Sequence, residues 1–192
     1  MQPSGASWIS SLPQLNGTEI DYIDSFYRAR LQALQAVDEL VDVITDRLEQ
    51  YNLTENTYII YTSDNGFHMG QHRMQPGKSC AFEEDVNVPF FIRGPGIPKN
   101  RTVEFMTSHT DITPTLFQLA GIQLRDDFDG TPMPVTEWAM DMAKSSPLHD
   151  HVAIEYWGDA IGEGAFASTG LNGSYSKSSD RTYGWTNLTS SI

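Results

Sequence analysis

From Ile20 to Leu48 apolar residues recur at alternating steps of three and four: Ile20, Ile23, Tyr27, Leu31, Leu34, Val37, Val41, Ile44 and Leu48. Three and four bracket the 3.6-residue turn, so these side chains form one stripe along a long α-helix. Thr18 suits the N-cap, and Asp21 suits the positive end of the helix dipole. Arg28, Arg30, Asp38, Glu39 and Asp46 make up the polar face, to which no chemistry is assigned. A helix with one apolar side must bury that side, and a sheet is its expected partner.

Short β-rich runs supply candidates for that sheet. Residues 57–63, TYIIYTS, are β-branched and aromatic between polar turns and read as a buried strand. A loop with Gly, His and Pro follows, from Asp64 to about Asn87. Residues 88–93, VPFFIR, give a second strand, which GPGIP must end by turning. A third element begins near Met106. Residues 111–121 read as a helix capped by Asp111 or Thr110 and stopped by Gly121. Residues 152–157 make a further strand candidate. Helices alternating with short buried strands predict an α/β layered domain over residues 19–157. A Ser/Pro/Gly-rich loop (1–18) precedes it, and a Gly/Ser-rich tail of low order (158–192) follows.

The formal net charge is −13, which disfavours nucleic acid and anionic membranes as partners. No run approaches the ~18 apolar residues of a membrane span. The single cysteine, Cys80, excludes an internal disulfide. Five Asn-x-Ser/Thr sequons, at Asn16, Asn52, Asn100, Asn172 and Asn187, exceed the about one or two that residue frequencies would supply. They predict a glycoprotein of the secretory pathway, secreted or held in a lysosome or vacuole. The first residues, MQPSGA, have neither a basic start nor an apolar segment and are not a signal peptide, so an upstream portion is expected.

Chemistry concentrates in residues 61–78, YTSDNGFHMGQHRMQPGK. Asp64 and Asn65 stand at the carboxyl end of the first strand, where open α/β sheets place their ligands. A carboxylate beside an amide carbonyl offers two hard oxygen donors, suited to Ca²⁺, with Mg²⁺ the alternative. His68, His72, Arg73 and Lys78 then concentrate imidazole and positive charge, as an oxyanion pocket requires. Zinc on His68 and His72 is disfavoured, because the Glu of His-Glu-x-x-His is absent and the loop is Gly-rich. Cys80, His109, His149 and His151 read as ordinary packing or loop residues.

In order along the chain come strand-SDNG, a His, GQH, GK, FEED and VPFFIRGPG. This pattern resembles the sulfatase family, nearest to glucosamine-6-sulfatases and fungal-type arylsulfatases. FYRARLQALQAVDELVD before it and SHTDITPTL (residues 108–116) after it extend the likeness over residues 20–157. The resemblance implies an alkaline-phosphatase-like α/β fold, a partial domain here, that hydrolyses sulfate esters: aryl sulfates or sulfated sugars. It implies a calcium ion on Asp64 and Asn65, sulfate binding by Lys78, and pocket positions for His68 and His72.

One departure is decisive. In this family the nucleophile is a formylglycine made from the cysteine of Cys-x-Pro-x-Arg. Cys80 is followed by AFEE instead. No catalytic nucleophile is therefore expected here, and the chain reads as an inactive fragment. The alternatives are a non-catalytic calcium- or glycan-binding remnant and a phosphatase or phosphodiesterase. The last would need a His/Asp set for two zinc ions, which the sequence lacks.

Overall fold

The structure, a computed structural model of the chain, describes residues 9, 12–78, 80–145, 152–154 and 161–162. The stripe becomes helix α1, Gly17–Gln50. Its start differs from expectation: Asn16, not Thr18, is the cap. The Glu19 amide donates to Asn16 Oδ1 at 3.1 Å, and the Asn16 amide donates to Glu19 Oε2 at 2.8 Å. This reciprocal box satisfies two amides that the first turn would otherwise leave orphaned.

The expected burial of the stripe is not seen. Of α1 only Ile23 is buried, whereas Ile20, Tyr27, Leu31, Leu34, Val41 and Ile44 are exposed. The reason is one of size, since the described strands run two to four residues and offer no broad apolar face. Much of the apolar ridge therefore faces outward among the described residues.

By contacts the chain forms two units, one of residues 1–47, 62–90 and 155–192 and the other of 48–61 and 91–154. In the first, β2 (Gly77–Lys78) pairs antiparallel with β4 (Ile161–Gly162), Lys78 opposite Ile161. A single helical turn, α2 (Glu83–Val86), follows β2. Leu12, Met74 and Cys80 form the buried apolar cluster, with Ile9 and Phe82 packed against it.

The second unit holds most of β1 (Ile59–Thr62), shorter at both ends than the sequence suggests, and of its neighbour β3 (Phe90–Arg93), which starts later than expected and ends where expected. β3 stops before Gly94, where any side chain would strike Tyr58, whose ring lies 2.2 Å from the position of a Cβ. The Tyr58 hydroxyl donates to the Pro95 carbonyl at 3.0 Å and fixes that turn.

The helix expected over 111–121 is α3, Ile112–Leu119, preceded by a 3₁₀ turn at His109–Asp111. Asp111 stands at the N-cap position of α3, as expected, but its side chain does not cap that helix; it closes a capping box with Ser108 at the start of the 3₁₀ turn. Gly121 stops the helix at φ +68, a left-handed geometry that favours glycine. Residues 101–108 are irregular, so no regular element begins at Met106.

A further helix, α4 (Glu137–Ser145), was not expected from the sequence. Thr136 caps it, accepting the Ala139 amide at 3.3 Å. The expected strand at 152–157 is absent over 152–154, and the rest of it lies outside the described residues. So does the tail from 158 onward, apart from β4.

Candidate active site

The site begins where β1 ends. The Ser63 hydroxyl donates to the Asn65 carbonyl at 2.8 Å, and the Asn65 amide donates to Asp64 Oδ1 at 2.8 Å. These local bonds are the usual way in which Ser and Asp set a tight turn. Asn65 Nδ2 donates to the Gly66 carbonyl at 2.7 Å, which leaves the amide oxygen on the opposite side.

Two clamps hold this turn in place. The Gly66 amide donates to the Asp85 carbonyl at 2.7 Å and the Phe67 amide to the Glu84 carbonyl at 2.8 Å, pinning the turn to α2. One residue on, His68 and Gly77 exchange backbone bonds of 2.9 and 3.1 Å. That bridge delivers Lys78 to the same neighbourhood, although 13 positions separate it from Asn65.

The result is a cleft of about 360 Å³ lined by Phe26, Arg30, Ser63, Asp64, Asn65, Gly66, Phe67 and Lys78. Asp64, Asn65 and Lys78 therefore line one open cleft. Phe26 and Phe67 stack with centroids 5.6 Å apart and planes 5° from parallel. The Arg30 guanidinium lies 5.7 Å from the Phe67 centroid, a cation–π distance. The cleft thus presents a carboxylate and an amide oxygen, two cations and an aromatic side.

Arg30 and Phe26 were missed as site residues. They are one helical turn apart, which fixes them to a common face. The sequence shows no reason why that face rather than another should meet the loop.

His68 and His72 do not line the cleft. His68 is buried, with Nδ1 2.8 Å from Asp85 Oδ2. His72 stacks on Phe82, with centroids 4.3 Å apart, and its Nε2 lies 3.5 Å from Glu84 Oε2. Cys80 is buried beside His68, its thiol donating to Asp85 Oδ2 at 3.0 Å. Burial and then that hydrogen bond push the thiol up to about 12. It is a neutral group packed away from the cleft, as its ordinary reading implied.

Of the predicted glycosylation sites, Asn16, Asn52 and Asn100 are exposed, and Asn172 and Asn187 lie outside the described residues.

A sequence profile described as Sulfatase matches residues 4–122. The chain belongs to the sulfatase family. The curated relatives that it matches are named sulfatases, that is, sulfuric ester hydrolases. Sulfatase ppz1 of Metarhizium majus (strain ARSEF 297) is 57% identical over 129 residues, which are 67% of this chain and 30% of that protein. N-acetylglucosamine-6-sulfatase of Homo sapiens is 36% identical over 147 residues, 76% of this chain and 26% of that protein. A solved structure, described as a complex with its substrate D-glucosamine-2-N,6-O-disulfate, is 33% identical. That likeness covers 52% of this chain and 20% of the other, at a TM-score of 0.49. The chain spans about 30% or less of the length of these curated relatives.

Proposed function

We propose that this chain supplies the metal- and sulfate-holding wall of a calcium-dependent sulfuric ester hydrolase, acting on sulfated sugars or aryl sulfates in the secretory pathway. The observation that supports it is the convergence of Asp64, Asn65 and Lys78 on one cleft. The donor set fits calcium, being one carboxylate and one amide oxygen with no thiolate or imidazole lining the space. A bound calcium ion would neutralise charge on the sulfate. Lys78 would hold a sulfate oxygen as a point charge, and the Arg30 fork, steadied on Phe67, would take a second. Phe26 and Phe67 present an apolar face against which a sugar or aryl ring can lie.

His68, turned toward Asp85, acts here as a positioning residue. It holds the loop between Asn65 and Lys78 rather than transferring a proton to the leaving alcohol. The relatives named extracellular sulfatase, such as the SULF-1 homolog of Drosophila melanogaster, fit a secretory setting. Three exposed sequon asparagines fit it too.

A second reading draws on Cys80. The sole cysteine lies in the His68–Asp85 cluster and does not line the cleft. On its own, then, the chain binds calcium and a sulfated sugar without turning the ester over. Calorimetry with Ca²⁺ and a sulfated monosaccharide, run beside an aryl sulfate assay, tests both readings. Saturable binding with no turnover is the expected result. Turnover at an ordinary enzymatic rate contradicts the inactivity, and absence of any binding contradicts the site.

A further inference from the structure

The cleft leaves one buried cluster unused. His68 Nδ1, Cys80 Sγ and Asp85 Oδ2 lie within 4.8 Å of one another, at 2.8 Å for His68–Asp85, 3.0 Å for Cys80–Asp85 and 3.9 Å for Cys80–His68. All three residues are at most 5% exposed. We propose that His68, Cys80 and Asp85 form a second metal site, buried and distinct from the Asp64–Asn65 pair, that takes a soft or borderline divalent cation, zinc first among them.

The distances support it. Bonds of about 2.0 Å to nitrogen and oxygen and about 2.3 Å to sulfur set tetrahedral neighbours roughly 3.3–3.6 Å apart. Two of the three separations must open, and the third must close, by about half an ångström or less to reach that range. Side-chain rotation alone supplies such movements. The three donors also come from segments already pinned to one another, since His68 is bridged to Gly77 and Asp85 sits in α2.

A second observation concerns the carboxylate. Asp85 Oδ1 is buried and has no hydrogen-bond partner among the described residues. An orphaned carboxylate oxygen is costly in a buried place. A bidentate carboxylate on a cation would engage it and complete four donors without admitting water.

Donor type selects the ion. A thiolate and an imidazole favour zinc and its softer neighbours over calcium, which needs six to eight oxygens. With all three donor residues buried away from solvent, the site would be structural rather than catalytic. Binding exchanges the Cys80 S–H bond for a metal–sulfur bond and releases that proton to solvent. His68 would ligate through Nδ1 as the neutral imidazole that carries its proton on Nε2. The consequence reaches the cleft, because α2 and His68 are the two anchors of the loop that carries Asp64 and Asn65.

The test is a cobalt and zinc titration of the purified chain, with metal retained after dialysis measured by mass spectrometry. One cobalt per chain with an intense sulfur-to-metal charge-transfer band is expected, displaced by zinc, with melting raised by several degrees. Cys80→Ser should abolish the band and weaken zinc binding by 100-fold or more, and Asp64→Ala should leave both unchanged. If Cys80→Ser fails to fold, the wild-type cobalt spectrum still decides. Stoichiometric cobalt without the sulfur band, no retained metal, or a band lost in Asp64→Ala would each overturn the proposal. Loss of calcium binding alone would touch the cleft and not this site.

Discussion

The Gly66 amide donates to the Asp85 carbonyl at 2.7 Å, and the same approach leaves no space for a methyl group. A Cβ on Gly66 would lie 1.9 Å from the Glu84 carbonyl oxygen. Backbone cannot yield as the end of a side chain can. Gly66→Ala should therefore force the turn off α2 and weaken calcium and sulfate binding together by tenfold or more, measured by calorimetry. An unchanged affinity would show that the clamp does not position the site.

Arg30 and Lys78 bring the positive charge to the cleft. Inorganic sulfate, in the presence of Ca²⁺, should bind Arg30→Ala and Lys78→Ala at least about tenfold more weakly each, in keeping with the about 1.5–3 kcal/mol of a charge-assisted bond. Arg30→Lys should recover only part of the loss, because an ammonium keeps charge without the planar fork that rests on Phe67. Titration calorimetry at fixed ionic strength gives the comparison.

Cys80 has a pH signature. Its pKa stands at about 12 in the folded chain against 9.0 as the ordinary value, with burial the largest cause. The unfolded chain gives up the thiol proton first, so its contribution to stability is whole below pH 9 and drains away as pH rises toward about 12. Urea unfolding of the metal-free chain should show this alkaline loss, and Cys80→Ala should flatten it. Native alkylation by iodoacetamide at pH 8 should be at least 100-fold slower than in urea, followed by mass spectrometry.

Two apolar residues of α1 should behave in opposite ways. Ile23 is buried against Gly70, so Ile23→Ala should cost about 2–5 kcal/mol. Leu34 is 39% exposed, so Leu34→Glu should change stability by no more than about 0.5 kcal/mol. It should also reduce binding of a hydrophobic dye, since it breaks the exposed ridge. Urea denaturation and dye fluorescence measure the pair.

How far the sequence reached depended on the range of each interaction. α1, β1 and β3 were legible because period and β-branching act within a few residues. The Asp64–Asn65 turn was legible for the same reason. The Asn16–Glu19 box could have been read from its spacing, and Thr136 at the start of α4 carried a similar signal. Burial of His68 was not legible: its partner Asp85 lies 17 positions away, and only the folded loop brings them to 2.8 Å. Arg30 stayed hidden because amphipathic patterning tells apolar from polar faces but not which polar face borders a site. The open stripe of α1 shows the converse limit, for periodicity predicts a surface and not what covers it.

Calcium titration of wild type, Asp64→Ala and Asn65→Ala decides whether the cleft holds a cation. One saturable site is expected in the wild type, weakened at least tenfold by either substitution and strengthened when sulfate is present. Absence of calcium binding in the folded chain, or binding that both substitutions leave intact, would contradict that expectation.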